Sequence, residues 1–127
     1  MFFFRLLHRY RLLSQCLFVA TFSLLLYGLF LPTVQMVEST QGLDKVAHFG
    51  SFLIVFLIGR FAFRGIVAWP YWLFPLASAV LLEFMQGQLI PTRVFSYLDM
   101  LANVVGVVCA YLLWVMLIKS GELEPRE

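Results

Sequence analysis

Four long stretches of this chain carry no charged residue, and they set its architecture. They lie between Arg11 and Glu38, Lys45 and Arg60, Arg64 and Glu83, and Asp99 and Lys119. A helix rises about 1.5 Å per residue, so about 20 residues cross a hydrocarbon layer about 30 Å thick. The first and last stretches reach that length outright. The second gives about 27 Å of helix when it is extended to Phe63, with Arg60 snorkelling to the interface. The third is long enough once it runs to Gln86. The pattern therefore predicts four membrane spans, over residues 12–34, 46–63, 66–86 and 97–118. The runs are continuously apolar rather than alternating, which speaks against a strand barrel. The first run is too long for a signal peptide and has no small-x-small cleavage site, so it is read as a retained span.

Composition sharpens this picture. Of 127 residues, 62% are hydrophobic and 13% charged, where a soluble domain has about 25% charged. A soluble enzyme, a nucleic-acid binder and a disordered tail are excluded together. The expected fold is all-α, a single integral-membrane domain over residues 1–127 built as a bundle of four transmembrane helices. An even number of spans puts both termini on one side, along with the turn at Arg64-Gly65. That side collects Arg5, Arg9, Arg11, Arg60, Arg64, Lys119 and Arg126, leaving Lys45 and Arg93 on the other. Positive residues stay inside, so both termini are expected in the cytoplasm. Trp69, Trp72 and Trp114 fall towards the same interface. The amphipathic start, Phe2 to Phe4 with three arginines, reads as an anchor on anionic lipid. Glu38 joins the outward loop over residues 32–42, and residues 121–127 read as a frayed tail. Cys16 and Cys109 read as packing thiols.

The remaining polar residues gather at the outward ends of the spans. Asp44 and His48 share a helical face at i, i+4, with Lys45 between them. Glu83 and Gln86 lie at i, i+3. Arg93 and Ser96 are in the following loop, and Asp99 and Asn103 open the fourth span, with Gly106 one turn deeper. His48, Glu83 and Asn103 all fall within about 5–10 Å of the helix ends. A charge in lipid costs at least a few kcal/mol, so ionisable span residues face a bundle interior or a cavity. The expectation is a polar pocket at the outer face, with Asp44, Lys45, His48, Glu83, Gln86, Arg93, Ser96, Asp99 and Asn103 as ligand-binding candidates. Structural readings stand beside this one. Asp44 suits an N-cap, Ser96-x-x-Asp99 a capping box, Lys45 and Arg93 lipid phosphates, and Asn103 with Gly106 close helix packing. His48, Glu83 and Asp99 are conceivable metal ligands, but they lack a tight spacing such as H-E-x-x-H, and no metal or cofactor is assigned. Ser51 and Ser96 lack the G-x-S-x-G context of a nucleophile.

Taken in order, Asp44-Lys45-x-x-His48-Phe49, Glu83-x-x-Gln86 and Arg93-x-x-Ser96-x-x-Asp99-x-x-x-Asn103-x-x-Gly106 resemble the VanZ-like family of small bacterial membrane proteins. The resemblance spans residues 44–106, half the chain. It implies a multi-span protein of the cell envelope, since the founding member is tied to reduced susceptibility to teicoplanin. It brings no catalytic mechanism. The function expected first is binding of an envelope-associated ligand, lipid-linked or anionic, such as a lipid-linked precursor or a glycopeptide. Two alternatives are an enzyme acting on a lipid head group, with His48 and Glu83 or Asp99 as acid and base, and a small proton-coupled transporter subunit.

Overall fold

The computed structural model describes residues 2–31, 41–121 and 123, with the side chains of residues 2–4, 8 and 41 left aside. The described residues form five helices: α1 (Phe2–Arg9), α2 (Arg11–Phe30), α3 (Gln41–Ala62), α4 (Ala68–Leu89) and α5 (Tyr97–Lys119). Helices α2 to α5 are each long and apolar enough to cross a membrane, as in a multi-pass membrane protein. Large apolar side chains such as Leu12, Leu24, Ile54, Leu73 and Met116 are more than half exposed. In water that surface would be a liability. Against lipid tails it costs nothing.

Helix α3 is the central post. It packs most extensively on α5 and next on α2, while α4 leans on α5. Contacts between helix ends give the directions. His48 and Lys45 at the start of α3 meet Asn103 and Asp99 at the start of α5, so these two run parallel. Gln86 near the end of α4 reaches the Leu29 carbonyl near the end of α2, so that pair is parallel too. Phe18 of α2 meets Phe63 just past α3, which makes α2 and α3 antiparallel. Phe52, Phe56 and Phe61 on α3 are fully buried. Around them Phe22, Phe74 and Trp114 make ring contacts at 5.0–6.4 Å centroid separations, in the tilted and edge-on geometries that aromatic pairs favour. All polar candidates lie at one end of this bundle, the polar end, where α2 and α4 finish and α3 and α5 begin.

The helix boundaries depart from the charge-gap reading in informative ways. Helix α2 ends at Phe30 rather than residue 34, and residues 32–34 lie outside the described residues, as do Glu38 and Arg126. Helix α3 begins at Gln41 instead of residue 46, because the charges of Asp44 and Lys45 are compensated within the fold and need not precede the helix. Asp44 is consequently inside the first turns of α3 and is not its N-cap. Helix α4 runs over Ala68–Leu89 rather than 66–86, with Pro70 in its first turn, where a missing N–H costs least. At α5 the expected cap is present: Ser96 Oγ accepts from the Asp99 N–H at 3.2 Å.

Arg60 also differs from expectation. It is buried, and it does not snorkel. Its Nη1 donates to the Phe63 and Ile66 carbonyls at 3.0 and 3.1 Å, closing the turn after α3. Its guanidinium lies 5.4 Å from the Tyr71 ring centroid and 5.0 Å from that of Trp114. Trp72 and Trp114 are therefore core residues, and Trp69 alone of the three is exposed as an interfacial ring would be. Cys16 and Cys109 are free thiols. The short α1 is tied down through Leu7, which is fully buried and whose carbonyl accepts from Ser14 Oγ at 3.0 Å.

Candidate functional site

At the polar end, eight of the nine candidate side chains join one chain of contacts. Arg93 Nη1 lies 3.5 Å from Asp44 Oδ2, and Asp44 Oδ1 lies 3.9 Å from His48 Nε2. The other ring nitrogen, Nδ1, is 3.0 Å from Asn103 Oδ1 and 3.9 Å from Glu83 Oε2. Glu83 Oε1 accepts from the Ser96 N–H at 3.2 Å. Ser96 caps Asp99, and Asp99 pairs with Lys45 Nζ at 3.3 Å. Four separate segments thus bring their polar groups to one place. The ninth residue, Gln86, is buried and donates to the Leu29 carbonyl at 2.6 Å, which ties α2 to α4.

The local order follows from helix geometry. Asp44 and His48 project from one face of α3 at i, i+4, and Asp99 and Asn103 repeat that spacing on α5. Because α3 and α5 run parallel, the two pairs stand side by side. Gly106, one turn below Asn103, lets the helices approach closely: a Cβ there would collide with the Phe49 carbonyl oxygen and meet Leu53 N at 3.2 Å. Asn103 also donates from Nδ2 to the Ala79 carbonyl of α4 at 3.4 Å. One amide therefore links three helices, as the packing reading anticipated.

The cation balance differs from a free anion trap. Lys45 and Arg93 each face a carboxylate of the bundle, and three carboxylates (Asp44, Glu83, Asp99) stand against these two cations. Glu83 is 2% exposed and Asn103 0%, while Lys45 keeps a third of its side-chain surface in the open. Ser51 donates into its own helix, to the Ala47 and His48 carbonyls, so its hydroxyl is committed locally.

A cleft of about 370 Å³ opens between α2, α3 and α4 beside this network. Asp44, His48, Gln86 and Arg93 line its polar end. Leu24, Leu25 and Leu29 of α2 and Ile54 and Val55 of α3 line the rest. Glu83 and Asp99 are not on its wall, so a molecule in the cleft meets Asp44 and His48 first. Three donor-bearing side chains, Asp44, His48 and Asp99, bring one atom each within 4.8 Å of one another, in the manner of metal ligands. The grouping has Asp44 where the conceivable set named from the sequence had Glu83. The contribution of α2 to the cleft and the roles of the Leu29 and Ala79 carbonyls were invisible in sequence, since backbone acceptors leave no residue-type signature. No protein-family model matches the chain, and comparisons with curated proteins and with solved structures likewise give no match.

Proposed function

We propose that the protein binds an amphiphilic lipid of the cell envelope in the cleft between α2, α3 and α4. The observation that carries this reading is the two-part lining. Arg93, His48, Asp44 and Gln86 sit at one end, and an apolar wall from α2 and α3 continues from them. A head group satisfies the first part and an acyl or prenyl chain the second. Arg93 suits a phosphate, because its planar fork matches the oxygens, and a phosphate there would exchange for the long contact with Asp44. The ordered motifs at Asp44–His48, Glu83–Gln86 and Arg93–Asn103 support a VanZ-like protein in the bacterial cytoplasmic membrane. On that reading the ligand is a lipid-linked envelope precursor or a related anionic lipid, and a link to glycopeptide tolerance follows. The basic residues at the opposite end (Arg5, Arg9, Arg11, Arg60, Arg64 and Lys119) support an orientation with both termini in the cytoplasm and the polar end outward.

The test is lipid retention. The chain is purified in mild detergent and its co-purifying lipids are identified by mass spectrometry. Gly28 lines the cleft, and a Cβ added there meets nothing within 4 Å. Gly28→Trp therefore fills the cleft with no collision at its root. Wild type is expected to carry about one phosphate-bearing lipid per chain, Gly28→Trp to lose it, and Arg93→Ala to hold it more weakly. Equal retention of the same lipid by Gly28→Trp would remove the cleft as its site.

A further inference from the structure

We infer that Asp44, His48 and Asp99 form a binding site for a divalent transition-metal ion, zinc or manganese in class, at the junction of α3 and α5. Two of these residues, Asp44 and His48, also line the polar end of the cleft, so the ion would stand beside a head group bound there.

The first support is position. The three donor atoms lie within 4.8 Å of one another. Metal–ligand bonds of about 2.0–2.2 Å bring donors to about 3–3.5 Å apart around one ion. A shift of about 1 Å in the side chains closes the remaining gap, and Asp44, a quarter exposed, has room to supply it.

The second support is the state of the imidazole. Asn103 Nδ2 donates to the Ala79 carbonyl, which fixes the amide and turns Oδ1 towards His48. Nδ1 must then carry the proton, donating to Oδ1 at 3.0 Å. This leaves Nε2 on the side of Asp44, 3.9 Å away. Metal-binding imidazoles are held in this way, with one nitrogen donating to a fixed oxygen and the other offered to the ion.

The third support is Asp99. It is 7% exposed, and its Oδ1 is buried and accepts no hydrogen bond. Lys45 Nζ lies 3.3 Å from this oxygen, pairing by charge without hydrogen-bond geometry. Asp44, Glu83 and Asp99 outnumber Lys45 and Arg93 around this imidazole, and buried charge without a partner is costly. A divalent ion offsets it.

One imidazole with two carboxylates suits zinc or manganese. Calcium prefers six or more oxygens, and copper(I) prefers sulfur. Lys45 occupies part of the same field, so it competes with the ion and must swing into solvent, where a third of its surface already lies.

Zinc, manganese and calcium are titrated by calorimetry into the full chain in detergent, free of any purification tag, with Cys16 and Cys109 changed to Ser. Wild type is expected to bind one zinc or manganese ion per chain, at least 100-fold more tightly than calcium. His48→Ala and Asp99→Asn should abolish binding, and Asn103→Ala should weaken it about 10–100-fold, as loss of an orienting partner does. Lys45→Met should tighten binding several-fold, an increase that misfolding cannot produce. The inference fails if wild type shows no saturable 1:1 binding, if calcium binds as well as zinc, if His48→Ala binds unchanged, or if Lys45→Met gains nothing.

Discussion

Glu83 has one oxygen engaged and one exposed to nothing but its neighbours. Oε1 accepts from the Ser96 N–H at 3.2 Å, while Oε2 is buried without a hydrogen bond, 3.9 Å from His48 Nδ1. The two oxygens predict different outcomes for two substitutions. Glu83→Gln keeps an acceptor for Ser96 and removes the surplus negative charge, so its unfolding temperature in detergent should match or exceed wild type. Glu83→Ala strands the Ser96 N–H at the start of α5 and opens a cavity, and should cost about 1–3 kcal/mol. A Gln variant as damaged as the Ala variant would mean that the charge itself holds the site together. Arg60 sets the opposite case. Its two carbonyl bonds and two ring faces need a planar fork, so Arg60→Lys should lower stability by about 1–2 kcal/mol although charge is conserved, as thermal unfolding would register. The nine candidate positions were legible in sequence because a polar residue inside an apolar run stands out. Which nitrogen of His48 faces which carboxylate was not, since that depends on Asn103 finding the Ala79 carbonyl of a third helix.

The four spans were legible for the same reason, and their ends were less so. Charge gaps mark where side chains are apolar, whereas a helix stops where its backbone loses partners. Helix α3 therefore runs through Asp44 and Lys45 to Gln41, beyond the gap that announced it. How the helices sit against one another was carried by single residues such as Gly106. Its neighbours are the Phe49 O and Leu53 N backbone atoms and the Phe52 Cβ of α3, none of which can rotate aside, so the α3–α5 spacing is set there. Gly106→Val should push the helices apart and cost about 1–3 kcal/mol through overpacking. It should also lengthen the His48–Asn103 contact one turn away, visible as a changed imidazole signal in NMR. Gly59 is a case far from His48, where an added Cβ crowds the Tyr71 hydroxyl and the Phe18 ring rather than backbone. Gly59→Ala is the matching control, expected to leave the His48 signal in place.

The bundle carries its charges in two unlike groups, and the proposed orientation rests on that difference. At the end where α3 and α5 finish stand the described basic residues Arg5, Arg9, Arg11, Arg64 and Lys119, and Arg60 closes the turn beside them. At the polar end there are two basic residues, Lys45 and Arg93, and so fewer positive charges to retain that end in the cytoplasm. Translocating the polar end is thus the easier choice at synthesis. Single cysteines placed in a background without Cys16 and Cys109 report the outcome. Thr92 is exposed in the α4–α5 connection at the polar end, and Gly65 is exposed in the α3–α4 turn at the other. In intact cells a membrane-impermeant maleimide should label Thr92→Cys and spare Gly65→Cys, and permeabilisation should expose both. The reverse pattern would turn the mouth of the cleft towards the cytoplasm. A lipid precursor would then have to be met on its cytoplasmic side, and the link to a glycopeptide, which acts outside the cell, would lose its physical basis.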